Sequence, residues 1–361
     1  MTMENSGLSS NNTRRIIEDN FGNMWVANYS TGVDFMTHYI SNFQTLTMLG
    51  QPLTNISAVY VDSKENLWIG QDNTVSMYRG GTVVRTWDFS QYIGNSSSSA
   101  YLFREDHDGN IWFGTTDNGL LKLNPLTGVI TLVKCTRGLD VNALCVDHTG
   151  RVWAGAENGV YSIYGGEERK EDAINGIMGQ SAIPFSIVED DIQQLWIATL
   201  SRGLFVFDKN RKLVAHLGFK APFPSISVNQ IIKDIDGGIW AATLSGLVYI
   251  PNPAKPEEYK VYGKDEGIAD LPLRALVQDR QGNIWVSTFT GIACLDVNRG
   301  RFYNYDYQSG IPMANFEVGA ATVSSDGTVY FGSPAGVCMF NPQQFTEQAE
   351  APKVQIVDCE H

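Results

Sequence analysis

The chain has 361 residues, of which 43% are hydrophobic and 18% charged, so it has enough apolar material for a sizeable core and too little charge for a disordered chain. Its 39 acidic and 26 basic residues give a formal net charge of -13, and because the basic residues are scattered, binding to nucleic acid or to anionic membranes is disfavoured. Glycine is frequent (35 residues) and proline is not (13), a balance that favours short strands joined by tight turns.

The sequence shows no signature of membrane insertion or of export. No run approaches the ~18 consecutive apolar residues of a membrane helix. The N-terminal segment Met1–Asn12 is polar and has neither the basic region nor the apolar region of a signal peptide. We therefore expect a cytoplasmic protein if the chain is complete, or a piece of a longer exported one.

Cysteine and histidine spacing predicts neither a disulfide framework nor a metal site. The five cysteines include no CxxC pair, and the five histidines include no HxxxH or HExxH motif. Cys145, Cys294 and Cys338 lie in apolar, strand-like segments and are predicted to be small buried hydrophobes. His107 and His148 each follow an aspartate that recurs along the chain, which suggests solvated turn positions. We expect no cofactor.

An internal repeat organises the chain, and the tryptophans reveal it. The series, at intervals of 41 to 45 residues, is Trp25, Trp68, Trp112, Trp153, Trp196, Trp240, Trp285 and then Tyr330. An aspartate lies six residues before each tryptophan, a glycine lies three residues before six of the eight aromatics, and a small residue lies two residues after each. Eight copies of one unit therefore extend from about residue 14 to residue 341.

Each copy is predicted to contain four strands, A to D. Strand A is the apolar run before the aspartate, as in Ile231–Ile232, and the Asp-x-x-Gly segment makes a tight turn in which the carboxylate accepts backbone N–H groups. Strand B contains the tryptophan, as in Leu195–Ala198, and strand C begins at a later glycine, as in Gly203–Phe207. Strand D is weaker and is clearest in Val83–Phe89.

A four-stranded sheet repeated about every 40 to 45 residues predicts an all-β fold, a single β-propeller whose tryptophans pack between blades. A solenoid is the alternative, but it would need distinct polar capping repeats. Eight copies favour eight blades, with seven as the alternative. We assign residues 1–13 to an N-terminal segment, 14–345 to the propeller and 346–361 to a C-terminal tail.

The last copy has strands A, B and C but no obvious strand D. A closed ring leaves no exposed edge, so another segment should pair with the outer strand of this copy. Two candidates are Met1–Glu4 and Val354–Val357.

The segment Glu105–Thr115, followed by Gly119 and Leu120, resembles the two-component regulator propeller repeat, and the resemblance extends over about nine tenths of the chain. Gly7–Asn11 resembles the linker before a first strand A in that family. Phe340–Ile356 resembles the exit from a last blade into the small β-sandwich that normally follows. The resemblance implies the sensor region of a hybrid two-component system of polysaccharide-degrading bacteria, periplasmic within a longer exported chain, with propellers that are usually seven-bladed.

The same resemblance implies the partners. They are an oligosaccharide ligand and the β-sandwich, membrane and histidine-kinase segments of a longer sensor, of which only the first sandwich residues lie in this sequence. A second copy of the chain, in a homodimer, is a further expected partner.

Ligand-binding residues are expected in the B-to-C and D-to-A loops, because these loops vary while the strands repeat. In the B-to-C loops the candidates are Tyr29, Asp72, Asp117, Glu157, Arg202 and Phe289. In the D-to-A loops they are Arg137, Phe223, Arg274 and Phe316. Aromatic platforms mixed with carboxylate and guanidinium groups suit an oligosaccharide.

We predict no catalytic residues. The repeated aspartates occupy equivalent turns, whereas acid–base catalysis requires carboxyl groups whose pKa values are pushed apart. Two alternatives stay open. A propeller lyase or hydrolase would need an acid–base and metal cluster on one face, and a protein-interaction scaffold would need a broad exposed apolar patch.

Overall fold

The structure, a computed structural model, describes residues 10–18, 24–36, 42–48, 51–92, 98–220 and 222–345. Within these ranges it contains strands, one α-helix, α1 (Asp172–Met178), and three 3₁₀ turns (Ser90–Tyr92, Lys134–Thr136 and Pro342–Gln344). No helix in them has the length and apolar character needed to cross a bilayer. The chain divides into two units, Met1–Asn42 and Phe43–His361.

Copy 1 of the repeat forms a three-stranded antiparallel sheet in the first unit. Its strands, in order, are β1 (Thr13–Glu18), β2 (Met24–Asn28) and β3 (Val33–Met36). Every residue of β1 is exposed, including Ile16 at 57%. The predicted strands A, B and C of this copy are therefore present, and the sheet leaves apolar residues in contact with solvent.

The segment between copies 1 and 2 contributes three short strands to the second unit. They are β4 (Gln44–Thr45), β5 (Thr47–Met48) and β6 (Gln51–Pro52). Strands β5 and β6 pair with each other in a two-stranded sheet.

Copies 2 to 8 form seven four-stranded antiparallel sheets, each called the blade of its copy. Blade 2 contains β7 (Ile56–Val61), β8 (Leu67–Gln71), β9 (Thr74–Arg79) and β10 (Thr82–Asp88). Blade 3 contains β11 (Ala100–Glu105), β12 (Ile111–Thr115), β13 (Gly119–Leu123) and β14 (Ile130–Leu132). Blade 4 contains β15 (Val141–Val146), β16 (Val152–Ala156), β17 (Gly159–Tyr164) and β18 (Glu167–Lys170).

The remaining blades follow the same order. Blade 5 contains β19 (Pro184–Glu189), β20 (Leu195–Thr199), β21 (Leu204–Phe207) and β22 (Leu213–Leu217). Blade 6 contains β23 (Val228–Lys233), β24 (Ile239–Thr243), β25 (Leu247–Ile250) and β26 (Lys260–Tyr262). Blade 7 contains β27 (Leu276–Gln278), β28 (Ile284–Ser287), β29 (Ile292–Asp296) and β30 (Arg301–Tyr305). Blade 8 contains β31 (Ala321–Val323), β32 (Val329–Ser333), β33 (Gly336–Phe340) and β4.

The seven blades of the second unit close into a ring. The A strands contact one another in sequence from β7 to β31, and β31 and β32 of blade 8 contact β7 of blade 2. Across this last joint, the Val61 N–H donates to Thr322 Oγ1 at 3.0 Å, and the Asn55 N–H donates to the Pro334 carbonyl at 2.7 Å. The predicted all-β propeller of four-stranded blades is therefore confirmed.

Strand β4 completes blade 8 and so closes the ring. Thr45 pairs with Cys338 and Gln44 with Met339, and the Leu46 N–H donates to the Val337 carbonyl at 2.9 Å. We predicted that Met1–Glu4 or Val354–Val357 pairs with the outer strand of the last copy. That prediction is wrong, because β4, which follows copy 1, occupies this edge. Both predicted segments lie outside the described residues.

The blade count follows from this closure. The eight copies give eight sheets, as predicted, but blades 8 and 2 contact each other directly, so the closed ring contains seven of them. With β4 on the outer edge of blade 8 and β7 against β31, the ring is complete without copy 1. Of the two predicted counts, seven describes the closed ring, and the three-stranded sheet of copy 1 belongs to the first unit.

The core of the propeller lies between adjacent blades. The six tryptophans of the ring series are 0–5% exposed, and each hydrophobic cluster combines residues from neighbouring sheets. The small residue after each tryptophan allows this close approach. A Cβ on Gly114 would lie 2.3 Å from the Val141 carbonyl oxygen of the next blade, and one on Gly70 would lie 2.7 Å from that of Ala100.

Candidate functional site

The repeated aspartates hydrogen-bond within their own turns. In blade 2, Asp62 Oδ1 accepts the backbone N–H groups of Lys64 (2.9 Å) and Asn66 (2.8 Å), and Oδ2 accepts the indole N–H of Trp68 at 2.8 Å. The same indole bond, at 2.7–3.0 Å, joins Trp112 to Asp106, Trp153 to Asp147, Trp196 to Asp190, Trp240 to Asp234, and Trp285 to Asp279. The carboxylates therefore fix the turns and anchor the buried tryptophans.

The pKa values of these carboxyl groups agree with a structural role. Burial raises the pKa of Asp106, but the hydrogen bonds from Trp112 and Asn110 outweigh it, so the pKa lies below its usual value. The pKa of Asp147 is lowered in the same way, by Thr149 and Trp153. Both groups stay ionised, and their oxygens are occupied by the fold.

Side chains next to the turns link one blade to the one before it, on a surface that we call the turn face (the turns between strands A and B of blades 2 to 8). The carboxylates of Glu105 and Glu189 and the amide oxygen of Gln278 each accept a backbone N–H from the preceding blade, that of Ser63, His148 and Ile235 respectively, at 2.7–2.8 Å. A cavity of about 540 Å³ lies on this side, but Glu189 binds His148 there and Lys233 binds Asp191. Its charged groups are largely paired with one another.

A bulge occurs near the start of the A strand in blades 2 to 6. At each bulge the pairing with strand B skips one residue, and the skipped residues are Ser57, Tyr101, Asn142, Phe185 and Asn229. Each lies eleven residues before the tryptophan of its copy; Arg274 and Gly319 have that position in copies 7 and 8. A bulge redirects a side chain out of the alternation of its strand.

Three of these bulge residues line an axial cavity of about 440 Å³, which opens on the loop face (the B-to-C and D-to-A loops of blades 2 to 8). Tyr101, Asn142 and Phe185 line it together with Gly319 of the last copy. The other two bulge residues bind the following blade instead. Ser57 Oγ donates to the Ala100 carbonyl and Asn229 Nδ2 to the Leu273 carbonyl, both at 2.7 Å. Blades 3 to 5 therefore each contribute a bulge residue to the cavity.

The axial cavity combines aromatic, amide and carboxylate groups. Tyr101 is 38% exposed and Phe185 half-buried, and both lie at the loop-face ends of their strands. The rest of its lining is Leu102, Arg104, Asp140, Leu144, Glu157, Ile183, Ser186, Leu200, Gln230, Glu317 and Val318. Such a lining can pack against the apolar face of a ring while it hydrogen-bonds to polar substituents.

Arg274 holds one acidic group at the rim of this cavity. Its Nε donates to the Phe316 carbonyl at 2.7 Å, its Nη2 lies 3.5 Å from Glu317 Oε2, and its guanidinium lies over the Phe289 ring at 4.5 Å. Burial raises the pKa of Glu317 although the charge of Arg274 opposes the shift. Arg274, which packs on Phe289, therefore forms an ion pair with Glu317 at the rim.

Of the ten predicted ligand residues, Glu157 lines the axial cavity, and Arg274 and Phe289 support its rim. Two predictions are corrected. Phe223 (7% exposed) packs edge-on against Tyr259, and Phe316 (0%) packs edge-on against Phe331, so neither ring is available to a ligand. Loop aromatics beside a propeller core fill the space between sheets, and the sequence pattern does not distinguish them from exposed platforms.

The other five predicted residues are distributed over separate places. Asp72 and Asp117 have positive φ angles in B-to-C turns, and the Asp117 N–H donates to Asp140 Oδ1 at 2.7 Å, so it positions a cavity carboxylate. Arg202 lies 5.5 Å from the Phe219 ring, Arg137 is exposed after a 3₁₀ turn, and Tyr29 belongs to the first unit. The ten residues do not form one site.

The cavity residues Tyr101, Asn142 and Phe185 are not predicted from the repeat because they lie in strand A and not in a loop. A signal was nevertheless present. The position eleven residues before the aromatic is Arg, Ser, Tyr, Asn, Phe, Asn, Arg and Gly in the eight copies, while the surrounding strand is repetitively apolar.

The cysteines behave as the sequence predicts. Cys145, Cys294 and Cys338 are buried, and burial raises the pKa of the Cys145 and Cys338 thiols to about 12, so both are protonated and unreactive. In the part of the chain that the structure describes, no three His, Cys, Asp or Glu side chains are grouped as a metal ion requires.

A closed ring of four-stranded blades, with a mixed polar and aromatic cavity at its axis, defines this protein as a β-propeller. Residues 7–30, 94–117 and 267–290 match the family model described as "Two component regulator propeller". The chain therefore carries two-component regulator propeller repeats, and the resemblance stated from Glu105–Gly119 is confirmed.

The chain is similar to part of two longer proteins. The chain is 30% identical to the extracellular domain of a protein assigned as a hybrid two component system, BT3049 from B. thetaiotaomicron, with a TM-score of 0.77 over 93% of this chain and 46% of that domain. It is 23% identical to "Histidine kinase P4" of Formosa agariphila over 89% of this chain and 21% of that protein. The chain thus spans less than half of either relative.

A third similarity concerns the fold alone. Virginiamycin B lyase from Staphylococcus aureus, solved with quinupristin, has a TM-score of 0.65 at 17% identity, covering 82% of this chain and 97% of the lyase.

Proposed function

We propose that the chain is the ligand-sensing propeller of a hybrid two-component system, and that its ligand is a carbohydrate bound in the axial cavity. The observation that carries the proposal is the cavity lining, in which bulges turn Tyr101, Asn142 and Phe185 inward from three successive blades. The similarity to the extracellular domain of a hybrid two-component system supports the sensor role.

The chemistry of the lining favours a carbohydrate. Sugar rings present apolar C–H faces that pack on aromatic rings, and Tyr101 and Phe185 offer two such surfaces at the loop-face ends of β11 and β19. Their hydroxyl groups need both donors and acceptors, which Asn142 and the carboxylates of Glu157 and Asp140 supply. A volume of about 440 Å³ suits a short oligosaccharide segment.

We further propose that the propeller binds its ligand without converting it. The likeness to virginiamycin B lyase concerns the fold, and among the described residues none of His107, His148 and His216 lines the axial cavity. The carboxylates of Asp140, Glu157 and Glu317 in the lining then act as hydrogen-bond acceptors. This is the property that a sensor requires, since a ligand that is released unchanged can report its concentration.

The propeller works, in this proposal, within a longer exported sensor that places it in the periplasm and joins it to β-sandwich, membrane and kinase segments. Exposed apolar residues of the first unit support the proposal that the longer protein contains further blades. Ile16 is 57% exposed, whereas its equivalents Val59 and Phe103 are 5% and 1% exposed; Val33 is 60% exposed, whereas its equivalent Leu120 is 0%. Copy 1 therefore presents a surface that a neighbouring blade would bury.

Thermal stabilisation and calorimetric titration of the purified chain with a library of oligosaccharides test this function. We expect a subset of sugars to stabilise the protein, and Tyr101→Ala and Phe185→Ala each to weaken their binding at least about tenfold, since an aromatic ring in a binding pocket contributes on that order. Phe219→Ala is the matched control, because Phe219 is an aromatic residue with 56% exposure that does not line the cavity.

The outcomes separate the alternatives. If the Phe219 variant loses binding and the Phe185 variant binds normally, the axial site is contradicted. Turnover of a bound sugar that persists through repurification contradicts binding without conversion. An absence of binding by every sugar in the library contradicts the carbohydrate ligand.

A further inference from the structure

The charged groups that line the axial cavity are mostly acidic. Asp140, Glu157 and Glu317 are carboxylates, and Arg104 is the one cation in the lining as described. Asp140 and Glu157 flank β15 and β16 at their loop-face ends, and Glu317 precedes β31. Arg104 lies three residues beyond Tyr101 along β11, toward the turn face, and also lines the cavity on that side. The mouth is therefore acidic and the single cation lies at depth.

Three other arginines on the loop face lie outside the cavity lining. Arg274 donates to the Phe316 carbonyl and lies beside Glu317, so it partly balances the charge of that carboxylate without entering the lining. Arg202 lies over the Phe219 ring, and Arg137 is exposed to solvent outside the lining. Among the residues that the structure describes, no second arginine or lysine lines the cavity.

The state of Glu317 shows how the rim responds to charge. Burial raises the pKa of this carboxyl group, and the neighbouring Arg274 does not fully offset the effect. A carboxylate that is already destabilised by its surroundings is destabilised further by a second anion placed next to it.

We propose that the axial cavity selects carbohydrate that carries no negative charge, either neutral or amine-bearing, and discriminates against sugars with uronate groups; the proposal rests on the carbohydrate ligand proposed above. Neutral hydroxyls and ammonium groups donate hydrogen bonds to Asp140, Glu157 and Glu317. The carboxylate of a uronate brings a like charge to the same oxygens and cannot donate to them, which disfavours it through repulsion and through lost hydrogen bonds. The overall charge of -13 acts in the same direction during approach.

Calorimetric titration with backbone-matched tetrasaccharides tests the selection. The neutral probes are cellotetraose and β-1,4-mannotetraose, the anionic probes are their β-1,4-glucuronate and β-1,4-mannuronate counterparts, and the cationic probe is the β-1,4-glucosamine tetramer. Within at least one matched pair, we expect the neutral member to bind at least about tenfold more tightly than the uronate. This difference in affinity should decrease as added salt screens the charges at the rim.

A charge-neutralising variant assigns the selection to the cavity. Asp140→Asn combined with Glu157→Gln should shift the affinity ratio toward the uronate by about tenfold. Asp236→Asn with Asp265→Asn is the control, because Asp236 is an exposed carboxylate on the turn face, Asp265 is exposed after β26, and the change in net charge is the same. If the control variant shifts the affinity ratio equally, the discrimination against uronates comes from overall charge, and selection by the cavity is overturned.

Two further outcomes distinguish this inference from the proposed function. If the uronate members bind more tightly and Arg104→Met abolishes their binding, the charge selection is overturned while the carbohydrate site stands. If none of these probes binds, and no sugar in the library does, the carbohydrate ligand is overturned and the selection with it.

Discussion

Glu105 of blade 3 accepts two hydrogen bonds from Ser63 of blade 2, one from its backbone N–H at 2.7 Å and one from its hydroxyl at 2.9 Å. This contact joins the A strand of one blade to the turn between strands A and B of the preceding one. Glu189 and Gln278 make the corresponding contact to His148 and Ile235. Adjacent blades are thus held by polar bonds at the turn face as well as by apolar packing between the sheets.

Replacing Glu105 by alanine should lower the free energy of unfolding by about 1–3 kcal/mol, because two donors of Ser63 lose a charged acceptor. Denaturant unfolding measures the change. Asp108→Ala, at an exposed position of the neighbouring turn, is the control and should change stability by less than about 0.5 kcal/mol. A larger effect at Asp108 than at Glu105 would contradict the importance of the inter-blade contact.

Asp190→Ala should destabilise the propeller without weakening ligand binding. Its carboxylate accepts the backbone N–H groups of Ile192 and Gln194 and the indole N–H of the fully buried Trp196, at 2.7–3.0 Å. Leaving these donors without an acceptor should cost about 2–4 kcal/mol. The measurements are the unfolding midpoint and the ligand Kd. A normal midpoint combined with lost binding would show that the repeated aspartates form the ligand site.

Leu46→Pro should weaken ring closure, because proline removes the N–H that donates to the Val337 carbonyl at 2.9 Å. Leu46 is also buried (7% exposed), so Leu46→Ala measures the packing loss separately. We expect the proline variant to be at least about 1 kcal/mol less stable than the alanine variant in equilibrium unfolding. Equal stabilities would contradict the closure of blade 8 by β4.

Glu317 should make stability depend on pH in a defined direction. Burial raises the pKa of this carboxyl group in the folded protein above its unfolded value, so the folded state binds the proton more readily. Its favourable contribution is complete below the unfolded pKa and is lost as the pH rises through the folded pKa. In Glu317→Gln that loss should be absent. Melting temperatures of both proteins across this pH range check the sign, and a decline that is steeper in the glutamine variant would contradict it.

The sequence predicts the features that recur and misses those that occur once. Regular spacing of the aromatics from Trp68 to Tyr330 is sufficient to predict four-stranded blades, because the same packing problem recurs in every copy. Strand β4 is not predicted, since it is two residues long and lies between copies 1 and 2, outside the pattern. Its position determines that seven blades close the ring.

The candidate site, too, is only partly predicted from the sequence. Loop variability selects Glu157, Arg274 and Phe289, which lie in or beside the axial cavity, but it also selects the buried rings of Phe223 and Phe316. The direction of a loop side chain depends on the three-dimensional path of the backbone, which the repeat pattern does not encode. The bulges at Tyr101, Asn142 and Phe185 are a further example, because a one-residue skip in pairing redirects a side chain that strand alternation alone would place elsewhere.

A crystal structure of the purified chain with a bound neutral oligosaccharide tests the central claim most directly. We predict that a sugar ring lies in the axial cavity, in contact with Tyr101 and Phe185 and with its hydroxyl groups within hydrogen-bonding distance of Asn142 or Glu157. A sugar bound instead on the turn face, or beside Phe219 at the periphery of the loop face, would contradict the assignment of the axial cavity as the ligand site.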